Sequence, residues 1–273
     1  MIKCGINCPT APTRTQVNML LTPRLDPVQV KKFCQLWQPP SDTWVGRSPA
    51  HWVESLKIIP FSSDLSMRTL SRPQLINIWR DGSIPTEHCF LSTLAWGGMK
   101  VNNGRSIWNA KDAWLPVCEQ LRSGEFVTRK DAFEAFRSLR LEKRLPGMGT
   151  AYFTKLLFFA RPVQDAYILD QWTARSVHIL TQNRSWPHVQ IDGDTLKKMN
   201  TPGGSAKLIR ATVTDRVTSA DYECYCKLVE SIAVQARKRP TEIEEVMFGQ
   251  GGRNPSAWRS HVMESWYVVP ETH

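Results

Sequence analysis

Two features of the chain carry residue types able to do chemistry: the run Leu145-Pro146-Gly147-Met148-Gly149-Thr150, and the isolated acid Asp170 that follows it. A tight Gly-rich turn between two helices leaves backbone N–H groups unpaired at the start of the second helix, and those donors, with the helix dipole, favour an anion. Gly147 and Gly149 lack Cβ atoms, so the turn can curl and a phosphate can approach the backbone; Thr150 is expected to cap the helix. Taken alone, the turn is equally an ordinary connection between helices. Asp170 stands at the start of the next helical run, where a carboxylate can serve as an N-cap. In the right cleft it can instead stabilise the positive charge that develops on a sugar when its bond to a base breaks.

The surrounding pattern is helical. Helices are expected over Val28–Trp37 (with Val30, Phe33, Cys34 and Trp37 on one face), Ser71–Trp79, Pro85–Ala95 and Ala110–Ser123. Thr128 with Asp131 reads as a capping box for a helix running to about Lys143. Ala151–Ala160 follows the turn, Asp170–Leu180 comes next, and Ser219–Arg237 forms a long helix in which Tyr222, Leu228, Ile232 and Val234 are apolar. Gly97-Gly98 should stop a helix and leave Trp96 to Arg105 as a loop, with Met99, Lys100, Asn102 and Asn103 available. Asn200 to Ser205 reads as a Pro/Gly turn, and Gly249 to Pro255 as a flexible loop before a short apolar tail. Strand-like alternation is scarce, so the fold is expected to be mainly α. Residues 1–70, rich in proline, are expected to pack on the core as an extension; 71–245 form the core, with its hairpin at 129–160, and 246–273 a tail.

Composition narrows the class. The 273 residues include 11 Trp and 10 Phe, enough for a core and for stacking surfaces. A net charge of +10 favours a polyanionic partner, nucleic acid before an acidic membrane surface. The 7 Cys are odd in number and irregular in spacing, which speaks against a disulfide framework and gives no zinc-site pattern. No run of about 18 apolar residues occurs and the start lacks a signal-peptide pattern. A soluble cytoplasmic protein is expected, without a membrane partner; the sequence is silent on oligomeric state, and a monomer is the working expectation.

The Leu145–Thr150 run followed by Leu169-Asp170 resembles the helix-hairpin-helix DNA glycosylases, most closely their 8-oxoguanine glycosylase branch. The clear match covers roughly residues 129–180, and a weaker one residues 85–104. The resemblance implies two helical subdomains flanking a cleft, double-stranded DNA as partner and Asp170 as the catalytic acid. It implies a hairpin (Gly147, Met148, Gly149, Thr150, flanked by Lys143 and Arg144) that grips the DNA backbone, with a monovalent cation as a candidate companion and no other cofactor. Arg140 and Arg175 are further candidates for phosphates. Trp96, Met99, Lys100, Asn102 and Asn103 are candidates for wedging into the duplex, and Trp172 and Lys155 for the base pocket. Bifunctional members carry a lysine nucleophile after the hairpin threonine. Ala151 stands there, which implies a monofunctional enzyme, with Lys155 one turn further along the same face. The Cys89–Met99 run looks like a prokaryotic group that includes defence enzymes against phage DNA with glucosylated hydroxymethylcytosine. That base is the expected target, in a nucleoid-associated prokaryotic protein. Repair of an oxidised or alkylated base, and a non-catalytic DNA-binding module, are the alternatives.

Overall fold

The computed structural model describes residues 24–39, 46–57, 64–181, 189–201, 204–249 and 255–268. Among them the chain is mainly helical. In order come α1 (Pro27–Leu36), α2 (Pro49–Leu56), α3 (Arg72–Arg80), α4 (Thr86–Trp96), α5 (Val101–Trp108), α6 (Lys111–Ser123), α7 (Arg129–Leu141), α8 (Thr150–Ala160) and α9 (Gln171–Leu180). A β-hairpin of β1 (Val189–Thr201) and β2 (Gly204–Val213) is followed by α10 (Ser219–Ala236), α11 (Pro240–Phe248), α12 (Ala257–Glu264) and β3 (Tyr267–Val268). The sheet order is β1-β2-β3, antiparallel throughout, with a register shift in β1 between Ile191 and Leu196.

Local signals account for most helix starts. Ser71 with Gln74, Thr128 with Asp131 and Thr218 with Asp221 form reciprocal capping boxes, and Asp26 caps α1 ahead of Pro27. Gly124, at φ 80°, ends α6 in the left-handed conformation that glycine adopts without steric cost.

Helix α8 is the centre of the molecule. It is apolar nearly all round, which suits only a helix packed on every side, and its residues from Phe153 to Ala160 are all buried. It touches α3, α4, α6 and α7. Ion pairs then tie distant elements together. Arg72 of α3 reaches Glu244 of α11 at 2.5 Å with both side chains buried, and Arg129 of α7 pairs with Glu223 and Glu230 of α10.

Several expectations are corrected. The segment after Gly98 is not a loop as far as Arg105. It enters α5 at Val101 because Ile107 and Trp108 gain a buried face, and because Gly104 lets α2 approach: a Cβ there would lie 2.8 Å from Leu56 and Trp52 side-chain atoms. Cys34 and Val234 are exposed, at the margins of their helical faces. The C-terminal part is not a simple tail, since α12 buries Trp258, Arg259, Val262 and Met263. The expected loop at Gly249–Pro255 falls largely on residues 250–254, outside the described residues, as does the turn at 202–203 within the predicted Asn200–Ser205 turn. The tryptophan surplus goes mostly inward: Trp52, Trp79, Trp96, Trp114 and Trp258 are all fully buried. The free thiols among the described residues are Cys34, Cys89, Cys118, Cys224 and Cys226.

Candidate active site

The turn between α7 and α8 is anchored by two buried side chains. Leu145 and Met148 are fully buried, so Met148 can offer a ligand only its backbone. Gly147 sits at φ 74°, and a Cβ on it would lie 2.9 Å from Cα and Cβ of Asn103, so the turn lies directly against the start of α5. The N-cap of α8 is Gly149, with no side-chain cap; Thr150 is instead the first helical residue and is buried. The expected cap role of Thr150 is therefore corrected. The Tyr152 and Phe153 amides of α8 donate to the Gly149 carbonyl, while those of Thr150 and Ala151 meet no acceptor among the described residues.

Asp170 is placed by a buried segment. Residues Ala166 to Leu169 lie under α10, where the Tyr222 hydroxyl donates to the Tyr167 carbonyl at 2.8 Å and the Tyr225 hydroxyl to the Ile168 carbonyl at 2.6 Å. From the other side the Leu169 N–H donates to the Thr154 hydroxyl of α8 at 3.1 Å. The chain then enters α9 through a capping box. Oδ1 of Asp170 accepts from the N–H groups of Trp172 at 2.8 Å and Thr173 at 3.2 Å, and the Asp170 N–H donates to the Thr173 hydroxyl at 2.8 Å. One carboxylate oxygen is thus committed to the helix. The other, Oδ2, lies 3.9 Å from Nζ of Lys155.

These residues meet at a cavity of about 460 Å³. From the hairpin, α8 and the start of α9 its lining takes Gly147, Gly149, Thr150, Ala151, Tyr152, Lys155, Asp170 and Gln171. Gly97, Lys100 and Asn103 from the α4–α5 junction and Thr212 and Val213 from the end of β2 complete the lining. Lys155 is almost wholly buried, and its ammonium donates to the Ala151 carbonyl at 2.7 Å. Burial lowers its pKa, opposed by the nearby charges of Asp170 and Glu244 and assisted by Arg72.

Other candidates fall elsewhere. Trp96 and Met99 are buried in the core, Trp96 against Phe159 and Phe248, and neither is placed to wedge into a duplex. The Trp52 indole of α2 donates to the Met99 carbonyl at 2.9 Å, which ties α2 to the residue that follows α4. Asn102 is exposed on α5, outside the cavity lining that holds Asn103. Trp172 is half-buried, with the Arg259 guanidinium 3.7 Å and that of Arg175 5.0 Å from its ring centroid. Arg175 is buried and so is not a phosphate contact; burial lowers it to about 10 and Arg259 to about 9, with Asp170 opposing both shifts. Lys143 and Arg144 are exposed beside the turn, Arg144 paired with Glu142 at 3.2 Å, while Arg140 pairs with Asp215 at 3.0 Å. The Leu145 carbonyl accepts from Arg140 at 3.2 Å, which takes up one of its two lone pairs.

Sequence reasoning missed Tyr152, Gln171, Thr212 and Val213. The first two adjoin the predicted hairpin and acid, so proximity was a usable signal. The last two come from a hairpin that no motif announced.

A helical fold in which a glycine turn and a buried, helix-capping aspartate share one cavity defines a helix-hairpin-helix protein with a candidate catalytic acid. The family model "Putative 8-oxoguanine DNA glycosylase OGG-like protein" matches residues 38–248. The chain belongs to that family, and the family suggests DNA glycosylase activity. No curated protein and no solved structure matches the chain. The match begins upstream of the expected core boundary at residue 71 and takes in α2. No helix among the described residues is long and apolar enough to cross a membrane.

Proposed function

We propose that the protein is a monofunctional DNA glycosylase that flips a modified base out of the duplex and excises it, leaving an abasic site. The observation that carries this is the position of Asp170, which lines one cavity with the hairpin turn and commits only one of its carboxylate oxygens to the helix cap. A base inside a duplex is out of reach, so the nucleotide must leave the stack to enter such a cavity. The hairpin amides and exposed Lys143 hold the phosphates, and double-stranded DNA is the partner. As the base leaves, oxocarbenium-like charge grows on the deoxyribose. The Asp170 carboxylate stabilises it and orients the attacking water. Ala151 offers no amine at the position where bifunctional relatives carry their nucleophile.

The base we propose is glucosylated hydroxymethylcytosine of phage DNA, in antiviral defence. A second reading, repair of 8-oxoguanine, is favoured by the description of the matching family. The test incubates the protein with glucosylated phage DNA, unmodified DNA, and duplexes carrying 8-oxoguanine or an alkylated base, and measures abasic sites. Base loss from glucosylated DNA alone supports defence, and loss from a damaged duplex alone replaces it with repair. DNA binding without base loss on any substrate would leave only a binding module.

A further inference from the structure

Among the described residues Lys155 is the one buried lysine of the cavity, and a single acceptor there lies within hydrogen-bond distance of its ammonium. An ammonium has three N–H donors. One meets the Ala151 carbonyl at 2.7 Å, while Asp170 Oδ2, at 3.9 Å, lies beyond hydrogen-bond distance. The rings of Tyr152 and Phe248 flank the group at 5.5 and 5.7 Å from their centroids. A buried donor without an acceptor is costly, and Lys155 lines a cavity large enough to hold the ligand that would supply one. The fold also makes room for its stem: a Cβ on Gly97 would lie 3.1 Å from Cδ of Lys155.

Resting on the glycosylase reading above, we propose that Lys155 is a catalytic residue that donates to the departing base while Asp170 acts on the sugar. The bond between C1′ and the base nitrogen breaks with both electrons going to the base. The negative charge appears on that nitrogen and its neighbouring acceptor, O2 of a pyrimidine or N3 of a purine, and the Lys155 ammonium donates a hydrogen bond or its proton there. Water adds to C1′ and gives its proton to Asp170, and solvent restores Lys155. Acid and ammonium thus take opposite charges of one transition state from adjacent positions. The groups facing Lys155 are Asp170 of α9, Glu244 of α11, Arg72 of α3 and Tyr152 of its own helix, and Lys100 lines the same cavity. Burial makes the ammonium a stronger acid than an exposed lysine.

The test is a leaving-group series. Duplexes carry the same glucosylated 5-hydroxymethyl substituent on cytosine, uracil or 6-azauracil, bases of graded acidity. Single-turnover base release is measured for the wild-type protein, Lys155→Met and Lys155→Arg, with melting temperature and DNA affinity as controls for folding. The expected result is a loss on the order of 10²-fold or more for Lys155→Met on the poorest leaving group. That loss should shrink to a few-fold on 6-azauracil, and Lys155→Arg should be partly active. An equal loss on all three bases, or an undiminished rate, would overturn the proposal. So would a covalent protein–DNA adduct trapped by borohydride, which would make the amine a nucleophile. No release from any of the three by the wild-type protein would refute the glucosylated-pyrimidine reading, and this proposal with it.

Discussion

Replacing Asp170 separates its two tasks. Asp170→Asn keeps an oxygen able to accept from the Trp172 and Thr173 N–H groups, now met at 2.8 and 3.2 Å. Asn caps as well as Asp, so the helix start should lose only a few tenths of a kcal/mol; Asp170→Ala should lose about 1 kcal/mol more. Both variants take the carboxylate away from Lys155, 3.9 Å distant. Opposite charges at that range interact by about 4 kcal/mol at an effective dielectric of ~20. That is an upper limit, because Glu244 remains nearby and burial already favours the neutral amine. With the acid gone the folded-state pKa of Lys155 falls further. Above that pKa the folded state holds fewer protons than the unfolded one, so stability rises with pH towards the ordinary lysine value. Asp170→Asn should therefore be destabilised by about 1–2 kcal/mol at pH 7 and recover part of this at pH 9. Base release should fall by roughly 10²–10³-fold, the loss typical of a removed electrostatic stabiliser. Urea unfolding at the two pH values and single-turnover base release check these outcomes. Wild-type release in Asp170→Asn would refute the catalytic role, and equal stability of the Asn and Ala variants would refute the capping role.

Two further outcomes follow from the same geometry. Arg72→Met leaves Glu244 buried without its partner and should cost about 3–5 kcal/mol. Burial already pushes Glu244 up to about 7; without Arg72 it rises further and stays protonated when folded, so the loss should be smaller at pH 5 than at pH 8, as denaturant unfolding at both values would measure. Gly147→Ala forces an L side chain to φ 74° and sets a Cβ 2.9 Å from Asn103. Strain of about 1–2 kcal/mol and displacement of about 1–3 kcal/mol should lower both the unfolding midpoint and DNA affinity; an unchanged midpoint would show that the turn is free of α5.

Helices were legible where a cap and an apolar face agreed at Ser71, Thr128 and Thr218, but the short helices capped by Ser48 and Ser256 were not. They were illegible where tertiary contact overrode local preference. Asn102, Asn103 and Gly104 favour a loop, yet α5 forms because Gly104 admits Trp52 and Leu56. The hairpin β1–β2 was missed because its pattern alternates weakly and its register shifts part-way. In the candidate site, the turn and Asp170 were visible as a spacing, and Lys155 as a helical neighbour of Ala151. What could not be read was the inward burial of Met99 and Arg175, since a single long side chain beside a loop or a charged face does not declare which surface it will meet.

The close approach of Gly147 to Asn103 makes the turn and α5 a single piece. On the function proposed here, one side of that piece fixes a backbone phosphate and the other borders the space where a nucleotide is received. Its dimensions then act as a ruler: the interval between the held phosphate and the extracted nucleotide is built into the protein rather than found afresh at each site. Such a device would inspect every position it slides past at one fixed offset, and would leave discrimination among bases to the cavity alone.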